Sequence, residues 1–117
     1  LCRPHNPVGR VWKEWELRKL GDICVKYGVI VVSDEIHSDL NISNTKHYSL
    51  IEFCDDYDNV IVASSGNKTF NISGLNCSYL ILKNEIIKEK YKLEILQSKI
   101  KTVGFCTQIN SNFKPTD

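Results

Sequence analysis

An α/β domain with a mostly parallel sheet and helices on both faces is the fold class this sequence predicts, on three observations. Two short β-branched runs, residues 29–33 (VIVVS) and 60–64 (VIVAS), are apolar on both parities, as expected of strands covered on both faces. An amphipathic stretch precedes the first run, and a long charged stretch follows a third apolar run, so helices and strands alternate. At 117 residues, 42% hydrophobic and 25% charged, the chain has the size and composition of one small globular domain.

The elements follow in order. After a loop over residues 4–9, Trp15, Leu17, Leu20, Ile23, Cys24 and Tyr27 recur mostly at three- and four-residue spacing, which predicts a helix over residues 13–27. Gly28 follows where a helix end favours positive φ. Residues 29–33 are the first strand, and the polar residues 41–47 are a loop. SLIEFC (49–54) is a short helix that residues 55–59 break. Residues 60–64 form the second strand and SYLILK (78–83) the third, after which Asn84 caps a charged helix running to about residue 101. Residues 102–117 show no period and stay unassigned.

Composition narrows the function classes. The formal net charge is +1 with acids and bases interleaved, so no basic tract is present to neutralise a phosphate backbone, and nucleic acid is not an expected partner. No run approaches the roughly 18 apolar residues that cross a bilayer, and no signal-peptide pattern opens the chain, so the expected compartment is the cytoplasm, with no membrane partner. The five cysteines are odd in number and widely spaced, with no C-x-x-C pair, which argues against a disulfide framework or a zinc site. Most are read as small buried hydrophobes. The absence of methionine and the opening LCRPHNPVG, which reads as a strand running into a loop, create the expectation that the chain is a piece of a longer one.

In open α/β sheets, ligands sit beyond the carboxyl ends of the parallel strands, where loops and helix N-termini converge. Asp34 and residues 64–68 fall at such ends, and Asp34 with Lys68 is either a structural ion pair or part of a site. Neighbouring residues favour a site. PHNPVG supplies Asn6 in a loop stiffened by Pro4 and Pro7 and opened by Gly9. SDEIHSD places His37 three residues after Asp34, and SSGNK sets two hydroxyls, a glycine and an amide before Lys68, which suits an anionic group. GNKT lacks the first glycine and the spacing of a P-loop.

Other polar residues have simpler readings. Glu35 and Asp39 are taken as solvated or capping groups, and His5 and His47 as loop residues. Trp12 and Trp15 are taken to pack on the sheet or on a segment outside the chain. The run KNEIIKEKYKLE is the wet face of a helix, with Glu85 and Glu89 supporting Lys88 and Lys92.

With these residues in view, the chain resembles the central part of the large domain of fold-type I pyridoxal-phosphate enzymes, the class I/II aminotransferase superfamily. PHNPVGRVW, VVSDEIHSDL and SGNKTFNISGL are most similar to the MalY/PatB group of carbon–sulfur β-lyases, often called cystathionine β-lyases. The resemblance covers roughly residues 1–101, and it implies an aminotransferase-like large domain there. It also implies a pyridoxal 5'-phosphate cofactor, amino-acid substrates and a homodimer with active sites at the interface.

Carried over residue by residue, the resemblance implies that Lys68 bonds covalently to the cofactor and later moves the substrate's α-proton, as a desolvated lysine can. Asp34 would pair with the pyridine nitrogen. Asn6 would bond the phenolic oxygen, with His37 assisting, and Ser65 would contact the phosphate, helped by Ser64 and Asn67. Asn76 stands where many aminotransferases carry a phosphate-binding arginine, a departure shared with the lyase group. The implied activity is β-elimination on sulfur amino acids. An aminotransferase using the same lysine and aspartate, and a truncated non-catalytic fragment, remain the alternatives. The cofactor-stacking ring, the glycine-containing phosphate turn and the substrate-carboxylate arginine of the family are not found here, so the chain alone is expected to be an incomplete enzyme.

Overall fold

The computed structural model describes residues 1–40, 45–53, 57–75 and 77–97. Its first helix, α1 (Glu14–Tyr27), starts one residue inside the predicted span. Lys13 has no side-chain acceptor to offer as a cap. Instead Glu16 reaches back to take the Lys13 backbone N–H at 2.9 Å, and Glu14 and Glu16 place negative charge at the positive end of the helix dipole. At the other end Gly28 adopts φ +63°. Its N–H donates to the Val25 carbonyl at 3.3 Å, and that of Val29 donates to the Cys24 carbonyl at 3.0 Å, which closes the helix as a Schellman motif.

Strand β1 (Val31–Asp34) pairs in parallel with β2 (Val60–Ser64), in a register that sets Val31 beside Val60 and Asp34 beside Ala63. Leu1, Cys2 and Arg3 run along the free edge of β1: Asp34 N–H donates to the Leu1 carbonyl at 2.7 Å, and Arg3 N–H to the Asp34 carbonyl at 2.8 Å. The predicted helix in residues 49–54 is a single 3-10 turn, Leu50–Phe53. Strand β3 (Tyr79–Leu82) returns antiparallel to β2, giving the order β1-β2-β3. The described residues of the connection into β3 hold turns and one 3-10 turn, Ser73–Leu75, and no crossover helix, which suits a return in the opposite direction. The α/β class stands, and the described sheet is mixed, with β1 and β2 parallel and β3 antiparallel.

Leu17 and Cys24 of α1 pack with Leu50, Tyr57, Val60 and Val62, and Trp12, Leu20, Val31, Tyr48 and Phe53 close around them. Val32, on the opposite parity of β1, is 50% exposed, so among the described residues this strand is covered on one face rather than two. Trp12 joins the core with the Arg10 guanidinium 4.5 Å from its ring centroid, whereas Trp15 faces outward.

Helix α2 (Glu85–Gln97) is capped as expected, with Ile87 N–H donating to Asn84 Oδ1 at 3.1 Å, and the cap is tied to β2's approach by Asn84 Nδ2 donating to Asn59 Oδ1 at 2.8 Å. The acid–base support along it runs at i,i+3, Glu85 with Lys88 and Glu89 with Lys92. The unassigned residues 102–117 lie outside the described residues. No described helix is long and apolar enough to cross a membrane. Of the cysteines described, Cys24 is buried, Cys2 half-buried and Cys77 exposed, so the reading of cysteines as core residues holds for Cys24 alone; Cys54 and Cys106 lie outside the described residues.

Candidate active site

Parallel pairing of the Leu1–Arg3 edge, β1 and β2 sends three consecutive chain segments out of the same end of the sheet. From the edge comes the loop that carries Asn6. It is closed by His5 N–H on the Arg10 carbonyl at 2.9 Å and by Gly9 N–H on the His5 carbonyl at 2.6 Å, with Gly9 at φ +71°. Asn6 lies exposed within it. From β1 comes Asp34, its Oδ1 accepting the Ile36 N–H at 3.1 Å while no partner among the described residues holds its second oxygen. From β2 comes the turn that carries Lys68.

That turn is a short coil closed by two backbone bonds. Phe70 N–H donates to the Gly66 carbonyl at 2.9 Å, and Ile72 N–H to the Asn67 carbonyl at 3.0 Å. Asn71 ends the coil at φ 53°, a conformation asparagine tolerates better than most residues. Lys68 is exposed midway along it and forms no ion pair with Asp34 or with any other described residue. A structural Asp34–Lys68 bridge is therefore not how these residues are used. Thr69 Oγ1 donates to Asp39 Oδ2 at 2.8 Å, fastening the Lys68 turn to the segment that follows Asp34.

Ser65 is buried at the base of the turn. Its hydroxyl donates to the Cys77 carbonyl and accepts the Asn67 N–H at 3.0 Å, and the hydroxyl of neighbouring Ser64 donates to the Glu35 carbonyl at 3.4 Å. In the segments after Asp34 and before Lys68, two buried polar atoms have no partner among the described residues: His37 Nδ1 and Asn67 Oδ1. Buried polar atoms are nearly always satisfied, so each of these orphans, one after Asp34 and one just before Lys68 in sequence, has bonding capacity to offer a polar group. The Asn67 amide can turn over to offer Nδ2 to an anion. The Asn76 position lies outside the described residues.

Sequence reasoning missed Glu35. Read as a solvated or capping group, it is instead 4% exposed, and its carboxylate accepts four bonds from described residues. Oε1 accepts from Arg3 Nη2 at 3.2 Å, Ser33 Oγ at 2.9 Å and Leu50 N–H at 3.1 Å, and Oε2 from His47 Nε2 at 3.1 Å. Burial alone raises the pKa of this carboxyl. The bonds from His47 and Leu50, the charge of Arg3 and the bond from Ser33 outweigh it and hold the pKa down at about 2. His47, read as a loop residue, thus anchors its loop to β1, and Arg3, 1% exposed, donates a second bond to the Tyr48 carbonyl. Strand parity carries the signal that was missed: Val31, Ser33 and Glu35 share the covered face, and an acid on such a face requires donors. Asp39 is exposed, as read, but engaged by Thr69.

Residues 1–99 match the family model for aminotransferase class I and II. Among curated proteins, cystathionine beta-lyase PatB of Bacillus subtilis (strain 168) is 42% identical over 81% of this chain and 25% of its own length. Kynurenine--oxoglutarate transaminase 3 of Homo sapiens is 35% identical over 75% of this chain and 19% of its own length. Among solved structures, cystalysin from Treponema denticola, which contains pyridoxal 5'-phosphate, superposes with a TM-score of 0.78 at 41% identity, covering 83% of this chain and 25% of that one. The chain spans about a quarter or less of the length of these relatives. On the match across residues 1–99, the chain belongs to the aminotransferase class I and II family.

Proposed function

We propose that this chain contributes the lysine, the ring-facing carboxylate and the phosphate contacts of a pyridoxal-phosphate-dependent carbon–sulfur β-lyase acting on sulfur amino acids such as cystathionine. The observation that carries the reading is the convergence of the Asn6 loop, Asp34 and the Lys68 turn at one end of the sheet, with His37 Nδ1 and Asn67 Oδ1, close to Asp34 and Lys68 in sequence, lacking partners among the described residues. Bound there, pyridoxal phosphate supplies an electron sink for negative charge at the substrate's α-carbon.

The residues divide the work by chemistry. Lys68 Nζ, exposed and without an ion-pair partner among the described residues, would hold the cofactor covalently and would serve as the base for the substrate's α-proton. Asp34, through its open oxygen, keeps the pyridine nitrogen protonated. Asn6 and His37 bond the phenolic oxygen. Ser65 serves the phosphate, for which its hydroxyl must exchange the Cys77 carbonyl for a phosphate oxygen; Ser64 and Asn67 assist. Residues 1–101 form the central part of the cofactor-binding large domain. The whole protein works in the cytoplasm as a homodimer.

Elimination is preferred over amino transfer because the PHNP and DEIH motifs and the lyase PatB, at 42% identity, point the same way. The test is an assay of the protein with cystathionine in the absence of any oxo-acid acceptor. Release of thiol and pyruvate, abolished in Lys68→Ala, supports the lyase. Turnover that requires an oxo acid and releases no thiol assigns the protein to the aminotransferases instead.

A further inference from the structure

Asp34 and Asn6 are exposed, and among the described residues no side chain bonds to either, the Asp34 carboxylate being met by the Ile36 N–H alone, yet a cofactor site requires groups held to within a fraction of an ångström. Something beneath them must set their direction. Burial alternates at the end of β1 and into the residue after it, with Ser33 and Glu35 buried and Asp34 between them exposed. Whatever fixes Glu35 therefore fixes the opposite side on which Asp34 is presented. Glu35 is fixed from three directions: Arg3 from the edge segment, Ser33 from its own strand, and His47 and Leu50 from the segment leading into the 3-10 turn. Arg3 is also the last residue before the Asn6 loop to pair with β1, through its N–H on the Asp34 carbonyl.

We propose that the buried Arg3–Glu35 pair is the positioning device of this site, one contact that sets both the direction of Asp34 and the place of the Asn6 loop. Neither residue touches the reacting atoms. Arg3 and Glu35 lie side by side under the rim, 3.2 Å apart, and each is bonded to a further segment: Arg3 to the Tyr48 carbonyl, Glu35 to His47 and Leu50. Buried pairs of this kind add little net stability over apolar residues of the same size, while they penalise alternative arrangements. A buried ion pair at the base of a site is thus better suited to setting geometry than to holding the fold.

Two readouts test the device, and only the second rests on the proposed function. In the cofactor-free protein, Glu35→Gln leaves Arg3 against a neutral amide. Hydrogen exchange at His5, Gly9, Asp34 and Ile36 is then expected to quicken about tenfold or more, with Val62 and Ile81 unchanged. In the cofactor-loaded protein, the pH midpoint of the visible absorption band, which senses the carboxylate at the ring nitrogen, is expected to move, and affinity for pyridoxal phosphate to fall about tenfold. The double variant Arg3→Met with Glu35→Leu, free of buried charge, is expected to recover thermal stability but neither readout, and it carries the test should Glu35→Gln fail to fold. Leu17→Ala is the control, lowering the thermal midpoint and leaving both readouts in place. Wild-type exchange rates in Glu35→Gln, or full recovery of exchange and band in the double variant, overturn the proposal. If the wild type takes up no cofactor, the functional reading fails and the exchange rates alone decide the positioning claim.

Discussion

Asp34 and Glu35 are adjacent in sequence and opposite in environment: the Glu35 carboxylate is buried with four donors around it, and that of Asp34 stands exposed at the end of β1. One strand step separates a carboxylate saturated with donors from one that stands open to solvent.

The Glu35 environment predicts how stability depends on pH. Its pKa is lowered from 4.5 to about 2, so the folded state favours the ionised form more than the unfolded state does. The resulting stabilisation is complete above about pH 4.5, declines as pH falls through that value, and is gone below about 2; its full size is about 3 kcal/mol. The thermal midpoint of the wild type should therefore exceed that of Glu35→Gln at pH 7, and the gap should narrow steadily between about pH 4.5 and 2. A gap independent of pH across that range contradicts the assignment.

In the core, Leu17 is fully buried between α1 and the sheet. Leu17→Ala removes packed methyl groups and leaves a cavity, and it is expected to cost about 3 kcal/mol in denaturant unfolding. A loss below about 1 kcal/mol means that the helix is not seated on this core.

At Gly28 the helix ends at φ +63°, with open space where a side chain would project. Gly28→Ala is strained by backbone conformation alone and should destabilise by about 1 kcal/mol, while Gly74→Ala, at ordinary φ and also in open space, should not destabilise. Equal effects at the two positions contradict the cap geometry.

Much of this architecture was legible because local chemistry and tertiary context agree. Apolar spacing in residues 13–27, Gly28 after them, and Asn84 before a charged run each specify a helix boundary through backbone bonds that the residues themselves supply. The end-of-strand positions of Asp34 and the Lys68 turn follow from the same β-branched runs. What was not legible depends on partners distant in sequence. The antiparallel direction of β3 follows from a connection whose described residues hold no crossover helix, and the burial of Glu35 depends on Arg3 and His47, residues that no local pattern connects to it. The exposed side of Val32 shows the reverse failure: a strand apolar on both faces implies two covering layers, and the described residues provide one.

The central claim is that Lys68 is the covalent attachment point of pyridoxal phosphate. The most direct measurement is to load the protein with the cofactor, reduce with borohydride, and map the labelled lysine by peptide mass spectrometry. The account predicts label at Lys68, lost in Lys68→Ala and weakened in Asp34→Ala. Label scattered over surface lysines such as Lys19, Lys26 and Lys46, or absent altogether, contradicts it.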